Sequence, residues 1–280
     1  MESIAELRRI CQADKLQRSR GLTRINRFVS IYATFVALAI GVSANVLTVV
    51  SIGAGIAGAA LLALPDYLLN LGGVALLYLS FLLDQVDGEV ARYHRTTVTG
   101  AYLDEIRHIV IYAAPVFAIS MQLMTARPAL TMAAAGFAAA IGLIILRFNT
   151  NAHYLLLAKK VLTAPGAEGG LQVPRRGDAG LRHPPKPAAG ARGPKYWLGQ
   201  AVPGITYLAT NQVSLLFLFL AYVHVLWFVP NPQLHDGIFL GYAAIVVLLT
   251  LLGIWKMAYW GRIEKDCAAI GRVVAERAVR

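Results

Sequence analysis

Residues 84–108, DQVDGEVARYHRTTVTGAYLDEIRH, connect two of the most apolar segments of the chain. The stretch contains three aspartates, two glutamates, three arginines and a final histidine. Charged side chains inside a membrane are costly, and where they occur they usually serve a function. The stretch therefore raises two questions, namely whether its flanks span a membrane and what its acids bind.

The composition indicates a membrane protein. Of the 280 residues, 57% are hydrophobic and only 15% are charged, whereas soluble domains carry about 25% charged residues. Apolar segments of about 20 residues, long enough to cross a bilayer, recur along the chain. The net charge of +11 lies in loops and ends that flank these segments. We therefore expect membrane lipid as a partner and no nucleic acid.

The apolar segments predict a fold. The first, 28–41, is short and follows Arg24 and Arg27, so 24–41 is interpreted as an amphipathic helix lying at the interface. The other six predict an all-α integral membrane protein, a six-transmembrane-helix bundle preceded by that interfacial helix. They cover residues 45–64, 67–88, 101–124, 129–157, 205–229 and 237–258.

Charge placement predicts the orientation. With six spans, the basic loop at 92–95 and the basic segment 158–200 fall on the same side as both termini, which makes that side cytoplasmic. We expect a multi-pass protein of the inner (cytoplasmic) membrane, with both termini and the active site facing the cytoplasm. The Ala- and Gly-rich parts of the spans, at 53–60 and 132–140, permit close helix contacts.

The chain divides into five predicted parts. They are a cytoplasmic N-terminal segment with the interfacial helix (1–42), a catalytic core of the first four spans (43–160), a flexible basic cytoplasmic loop (161–200), the last two spans (201–260) and a cytoplasmic tail (261–280).

The acids form two pairs with helical spacing. Asp84 and Asp87 are three residues apart near the end of one span, and Asp104 and His108 are four apart at the start of the next, so each pair shares a helix face. Facing one another, these carboxylates would repel unless a cation lay between them. A group of interfacial charges reaching water is the alternative, and it explains four such positions poorly. The pattern predicts an oxygen-rich site for Mg²⁺ or Mn²⁺.

The spacing of the whole stretch resembles a known family. The order Asp-x2-Asp-Gly-x2-Ala-Arg, then Gly-x3-Asp, is similar to the motif of the CDP-alcohol phosphotransferases. Upstream, SANVLT at 43–48 resembles the segment that opens the first span in that family. The motif residues are Asp84, Asp87, Gly88, Ala91, Arg92, Gly100 and Asp104.

The resemblance implies an activity. A CDP-linked lipid such as CDP-diacylglycerol would donate its phosphatidyl group to the hydroxyl of an acceptor alcohol, releasing CMP, in phospholipid biosynthesis. Two Mg²⁺ or Mn²⁺ ions are expected, with Asp84 and Asp104 bridging both and Asp87 holding the first. The family also suggests a homodimer. The implied CDP-lipid contacts are Asn45, Thr48, Gly88, Ala91, Arg92, Thr97 and Gly100.

His108 departs from the family pattern, which has a further aspartate there as the proposed base and a ligand of the second metal. The loop from Arg92 to Gly100 is also one residue shorter than is common. Three interpretations stay open for His108: a working base and metal ligand acting with Asp104, a site reduced to one metal, or a non-catalytic relative. A neutral imidazole near pH 7 can accept a proton and can bind Mn²⁺.

Two further questions remain open. Arg147 in the fourth span is a candidate for binding an anionic acceptor, or it reaches the interface as an ordinary membrane-flanking charge. The alternative functions are a CDP-lipid-binding membrane protein without activity and a polyprenyl transferase with aspartate-rich motifs. The acceptor alcohol itself is not indicated.

Overall fold

The computed structural model describes residues 2–18, 22–126, 130–162 and 211–259, and each regular element in these ranges is an α-helix. The predicted all-helical fold is thus confirmed for the described part of the chain. The helices are α1 (Ile4–Arg18), α2 (Leu22–Ala39), α3 (Ala44–Leu62), α4 (Tyr67–Tyr93), α5 (Val98–Ala126), α6 (Leu130–Leu162), α7 (Gln212–Phe228) and α8 (Pro232–Tyr259).

The predicted membrane spans correspond to helices. Within the described ranges, five helical segments are long and apolar enough to cross a membrane, and Ser214–Phe228 in α7 is apolar but shorter. The predicted span at 205–229 begins outside the described residues, as do most of the basic loop at 161–200 and the whole tail at 261–280. The five segments are Ala44–Leu62, Tyr67–Tyr93, Val98–Thr125, Leu130–Asn149 and Pro232–Trp255.

The chain forms two compact units. The first consists of Met1–Ile144 with Leu208–Val246, and within it α4 packs against α1, α2, α3 and α7. The second consists of Ile145–Tyr207 with Val247–Arg280. In the second unit a Cβ added at Gly253 would lie 3.2 Å from the Asn149 Nδ2 atom, so this glycine allows α8 to approach α6 closely.

Small residues bring α3 and α4 together, as the glycine content predicted. A Cβ at Gly58 would lie 2.7 Å from the Gly73 carbonyl oxygen, and a Cβ at Gly73 would lie equally close to the Gly58 carbonyl. Glycine at both positions lets the two backbones touch. A Cβ added at Gly136 would clash with the Ser120 side chain, so this glycine allows α6 to approach α5 closely.

Helix α2 is amphipathic, but its polar side faces the protein. Asn26, Ser30 and Thr34, spaced four apart, are at most 1% exposed, whereas Ile25 and Tyr32 on the other side are 59% and 56% exposed. The predicted amphipathic helix is therefore present, and its polar stripe contacts protein groups instead of water. Its position in the membrane interface remains a prediction.

Helix α1 was not predicted, because its segment is polar and carries both charge signs. It nevertheless buries Leu7, Cys11 and Gln12 to 2% exposure or less. The spacing of Leu7 and Cys11 by four residues is the only local sign of this buried face. Helices α1 and α2 both pack on α4, the helix that carries the first half of the charged motif.

Candidate active site

The two halves of the motif lie at adjoining helix ends. Helix α4 continues to Tyr93 and α5 begins at Val98, so only residues 94–97 of the stretch between Arg92 and Gly100 lie outside a helix. The Thr97 Oγ1 atom accepts a hydrogen bond from the Gly100 backbone N–H at 3.0 Å, which satisfies a free donor at the start of α5. The motif is therefore held by two regular helices and a short turn.

Asp84, Asp104 and His108 form a cluster that could hold a metal ion. One ligand atom from each residue lies within 4.8 Å of the other two. The His108 Nδ1 atom is 2.7 Å from the Asp104 carbonyl oxygen, so Nδ1 carries the proton and donates it. This arrangement places the lone pair of the ring on Nε2, which lies 3.2 Å from the Arg107 Nη2 atom and could bind a metal or accept a proton in place of that contact.

Asp87 has a different partner. Its Oδ2 atom accepts a hydrogen bond of 2.6 Å from the Thr48 hydroxyl on α3, and the side chain is buried. Asp87 is not in the group of three possible ligands. Thr48 was predicted to contact the CDP-lipid and Asp87 to bind a metal, and a hydrogen bond joins these two residues. The role of Asp87 as a ligand of the first metal stays a prediction.

Arg107 was missed by the sequence analysis. It is completely buried, and its Nη2 atom lies 2.5 Å from the Asp84 Oδ1 atom and 3.3 Å from the Asp104 Oδ1 atom. The same nitrogen is 3.2 Å from His108 Nε2. Arg107 is three residues after Asp104, so helical spacing places it on the same face as this aspartate. That spacing was the signal available in the sequence.

A cavity of about 450 Å³ opens beside the acids. Every residue predicted to contact the CDP-lipid lines it, together with Asp84, Asp87 and Asp104. Those seven residues are Asn45, Thr48, Gly88, Ala91, Arg92, Thr97 and Gly100. His108 contacts the acids from α5 but is not among the lining residues. Arg147 belongs to the second unit, and its role with the acceptor stays a prediction.

Positive side chains also line the cavity. Arg27 from α2 and Arg95 from the turn after α4 accompany Arg92. Neither Arg27 nor Arg95 was singled out as a site residue from the sequence, because each lies outside the motif positions. The cavity thus combines arginines with carboxylates, a combination that suits a phosphate anion together with a metal cation.

Arg92 is held by α1. Its Nε atom donates a hydrogen bond of 2.6 Å to the Cys11 carbonyl oxygen. A Cβ at Gly88 would lie 3.2 Å from the Arg92 Nη1 atom, so glycine four residues earlier leaves room for the guanidinium group. The two motif residues therefore act as a pair, in which Gly88 makes the space that Arg92 occupies.

Glu89, inside the motif but on another face of α4, is the centre of a buried hydrogen-bond network. Its carboxylate accepts bonds from Gln12 Nε2 at 2.7 Å, from the Ser30 hydroxyl at 2.8 Å and from the Thr34 hydroxyl at 2.7 Å. These donors explain why the polar stripe of α2 faces inward. The sequence analysis assigned Glu89 no role, since its partners lie in helices remote in the chain.

The apolar helices suggest an integral membrane protein, in which an acidic cluster lies beside a cavity lined with arginines. Residues 41–175 match the model of the CDP-alcohol phosphatidyltransferase family. This match confirms the resemblance found in the motif: over residues 41–175 the chain is similar to that family. It covers both SANVLT and the complete charged stretch. No curated protein matches the chain in a sequence search.

Proposed function

We propose that the protein transfers a phosphatidyl, or related phospho-lipid, group from a CDP-linked lipid to the hydroxyl of an acceptor alcohol and releases CMP. The observation that carries this proposal is the single cavity whose walls contain all seven predicted CDP-lipid contacts beside three motif aspartates. The similarity to the family supports transfer from a CDP-alcohol in general. The lipid, the acceptor and the pathway are part of the proposal.

The cavity arginines would bind the pyrophosphate of the donor. Arg92 is oriented by its bond to the Cys11 carbonyl, and guanidinium groups match phosphate oxygens with paired donors. Positioning and charge neutralisation are the main contributions of a protein to phosphoryl transfer. Asn45 and Thr97 lie at the same cavity wall, on either side of Gly100.

The acid cluster fits a divalent cation. Two carboxylates beside an imidazole, with ligand atoms within 4.8 Å of one another, suit Mg²⁺ or Mn²⁺. Asp84 and Asp104 would hold the ion, and His108 would act as the base, because the one lone pair of Nε2 cannot bind a metal and accept a proton at once. When bound, it would neutralise negative charge on the phosphate oxygens. The expectation of two ions remains a prediction from the resemblance.

His108 would accept the proton of the acceptor hydroxyl. The hydroxyl oxygen forms a bond to the lipid-side phosphorus, the bond from that phosphorus to the oxygen of the nucleotide phosphate breaks, and CMP leaves with the electron pair. The hydroxyl proton moves to Nε2 of His108, whose Nδ1–H is held by the Asp104 carbonyl. Asp104 thereby orients the base.

The location of the reaction is proposed from charge placement. The cavity lies at the end of α4 and the start of α5, where the basic residues of 92–95 occur. By the distribution of Lys and Arg, this end faces the cytoplasm of a cell whose inner membrane contains the protein. The donor would enter from the membrane and CMP would leave to the cytoplasm.

CMP release by the purified full chain tests the proposal. The assay supplies CDP-diacylglycerol, Mg²⁺ or Mn²⁺ and pooled alcohols, namely glycerol 3-phosphate, inositol, inositol phosphate, serine and choline. We expect acceptor-dependent CMP release from the wild type, little from Asp104→Asn, and normal release from Asp66→Asn. Asp66 is a matched control because it is an exposed aspartate that caps the other end of α4.

Three results would contradict the assigned site or favour an alternative function. CMP release that persists in Asp104→Asn would contradict the assigned site. Binding of the CDP-lipid without CMP release from any pool would favour the non-catalytic alternative. Release of pyrophosphate from a polyprenyl diphosphate in place of CMP would favour the polyprenyl transferase.

A further inference from the structure

Arg107 occupies an unusual position for a cation. Its side chain is 0% exposed, within a helix segment long and apolar enough to span the membrane. A buried charge is tolerated only with close partners of opposite charge. The partners are Asp84 and Asp104, each contacted by Nη2, and these are the two carboxylates that the resemblance assigns to both metals.

The rest of the guanidinium group makes no other compensating bond. Nε and Nη1 of Arg107 are buried without a hydrogen-bond partner among the described residues. Its stabilisation therefore depends on the two aspartates and on His108. Because an arginine side chain does not lose its proton in proteins, it contributes a permanent positive charge to the acid cluster.

We propose that Arg107 is a resident cation of the active site, taking the place of a second divalent ion, so that the site binds a single ion. This inference rests on the proposed function, and it concerns only the number of metal ions that the site binds. The guanidinium nitrogen, 2.5 Å from Asp84 Oδ1 and 3.3 Å from Asp104 Oδ1, engages one oxygen of each carboxylate. The other oxygen of each carboxylate would be left to bind one ion.

The charges of the cluster agree with one ion. His108 supplies a neutral nitrogen where the motif leads one to expect a carboxylate, which removes one negative charge. Arg107 adds one positive charge. The loss of one negative charge and the gain of one positive charge together equal the charge of one divalent cation. The two residues are adjacent in α5, and Arg107 Nη2 contacts the His108 ring, so they form one local arrangement.

The test counts metal ions on the purified full chain without any CDP-lipid. Mn²⁺ binding is measured by titration calorimetry and by electron paramagnetic resonance. We expect one ion per chain in the wild type and in Arg107→Lys, which keeps the charge, and two in Arg107→Met, which keeps the length but not the charge. Arg95→Met, which removes a cavity arginine outside the acid cluster, should still bind one.

Two or no Mn²⁺ ions on the wild type would overturn the proposal, and this result does not depend on any variant folding. One ion on a folded Arg107→Met chain, with unchanged affinity, would also overturn it. CMP release is not measured in this experiment. A chain that binds one ion but transfers nothing would refute the proposed function alone, and an active chain that binds two would refute this inference alone.

Discussion

The carboxylate of Glu89 accepts a 2.7 Å hydrogen bond from the side chain of Gln12, although the two residues are 77 positions apart. This bond joins the first helix to the helix that carries the motif. It means that α1, a polar segment without a predicted role, helps to hold the active-site helix in place. Arg92, one turn after Glu89, receives its own support from the Cys11 carbonyl in α1.

Replacing Glu89 should strongly destabilise the protein. Glu89→Leu removes the shared acceptor of three buried hydrogen bonds, and each lost bond to a charged group costs about 1.5–3 kcal/mol. Glu89→Gln keeps one acceptor and should lie between Leu and the wild type. The measurement is the thermal unfolding midpoint in detergent. Glu6→Gln is the control, because Glu6 forms only an exposed pair with Arg9. Equal midpoints for Glu89→Leu and Glu6→Gln would contradict the network.

Replacing Arg92 by lysine should weaken donor binding. The variant keeps the charge but loses the planar group whose Nε atom bonds to the Cys11 carbonyl. We expect the KM for the CDP-lipid to rise about tenfold, the equivalent of about 1.4 kcal/mol, with kcat changed less. Steady-state CMP release measures both constants. In Arg95→Lys, whose arginine follows α4 in the turn, the KM should move less. An unchanged KM in Arg92→Lys would contradict the proposed role of Arg92 in binding the CDP-lipid.

Replacing His108 separates its roles. His108→Gln offers a polar group but no base, so we expect kcat to fall about 100-fold or more, as is usual for loss of a general base. His108→Asp restores the carboxylate that the motif leads one to expect and should retain part of the activity. The KM for the CDP-lipid should stay close to that of the wild type in both, since His108 does not line the cavity. A normal kcat in His108→Gln would place the base elsewhere or make it unnecessary.

The contact between α3 and α4 should be sensitive to one methyl group. Gly58→Ala would place a Cβ 2.7 Å from the Gly73 carbonyl, and such overpacking costs about 1–3 kcal/mol. Gly53→Ala is a control on the same helix, because a Cβ there meets nothing within 4 Å. We expect the unfolding midpoint to fall for Gly58→Ala and to hold or rise for Gly53→Ala. The same midpoint in both variants would be evidence against the close backbone contact.

The Cys11 thiol should react slowly. It is 2% exposed, and burial raises its pKa above the ordinary value, which reduces the reactive thiolate at neutral pH. In a Cys267→Ser background, alkylation by iodoacetamide should be slow at pH 7 and accelerate at higher pH. Adding Gln12→Ala should speed it by loosening α1. Rapid alkylation at pH 7 in the Cys267→Ser protein would show that this thiol is not buried by the packing of α1 on its neighbouring helices.

Local patterns were sufficient for the helices and for most of the motif. The length of the apolar segments predicted the helices that span the membrane, because a bilayer requires about 20 apolar residues of any helix that crosses it. The spacing of Asp104 and His108 predicted a shared face, since helical periodicity depends only on neighbours in the chain.

Other features depended on contacts with residues that are distant in the sequence, and local patterns do not predict such contacts. The role of Asp87 as a metal ligand stays a prediction, but its hydrogen bond from Thr48 on another helix was not predicted. An amphipathic helix at 24–41 was predicted, but not that its Ser30 and Thr34 hydroxyls donate to Glu89. A buried carboxylate takes whichever donors the packing brings to it.

The sequence by itself determined that this protein is a helical membrane protein with an acidic motif of the CDP-alcohol phosphatidyltransferase type. Only the tertiary structure decided that Arg107 contacts Asp84 and that α1 supports the motif helix. The physical reason is that apolar length and helical spacing are properties of adjacent residues. The neutralisation of a buried charge, by contrast, depends on atoms that folding brings from other helices.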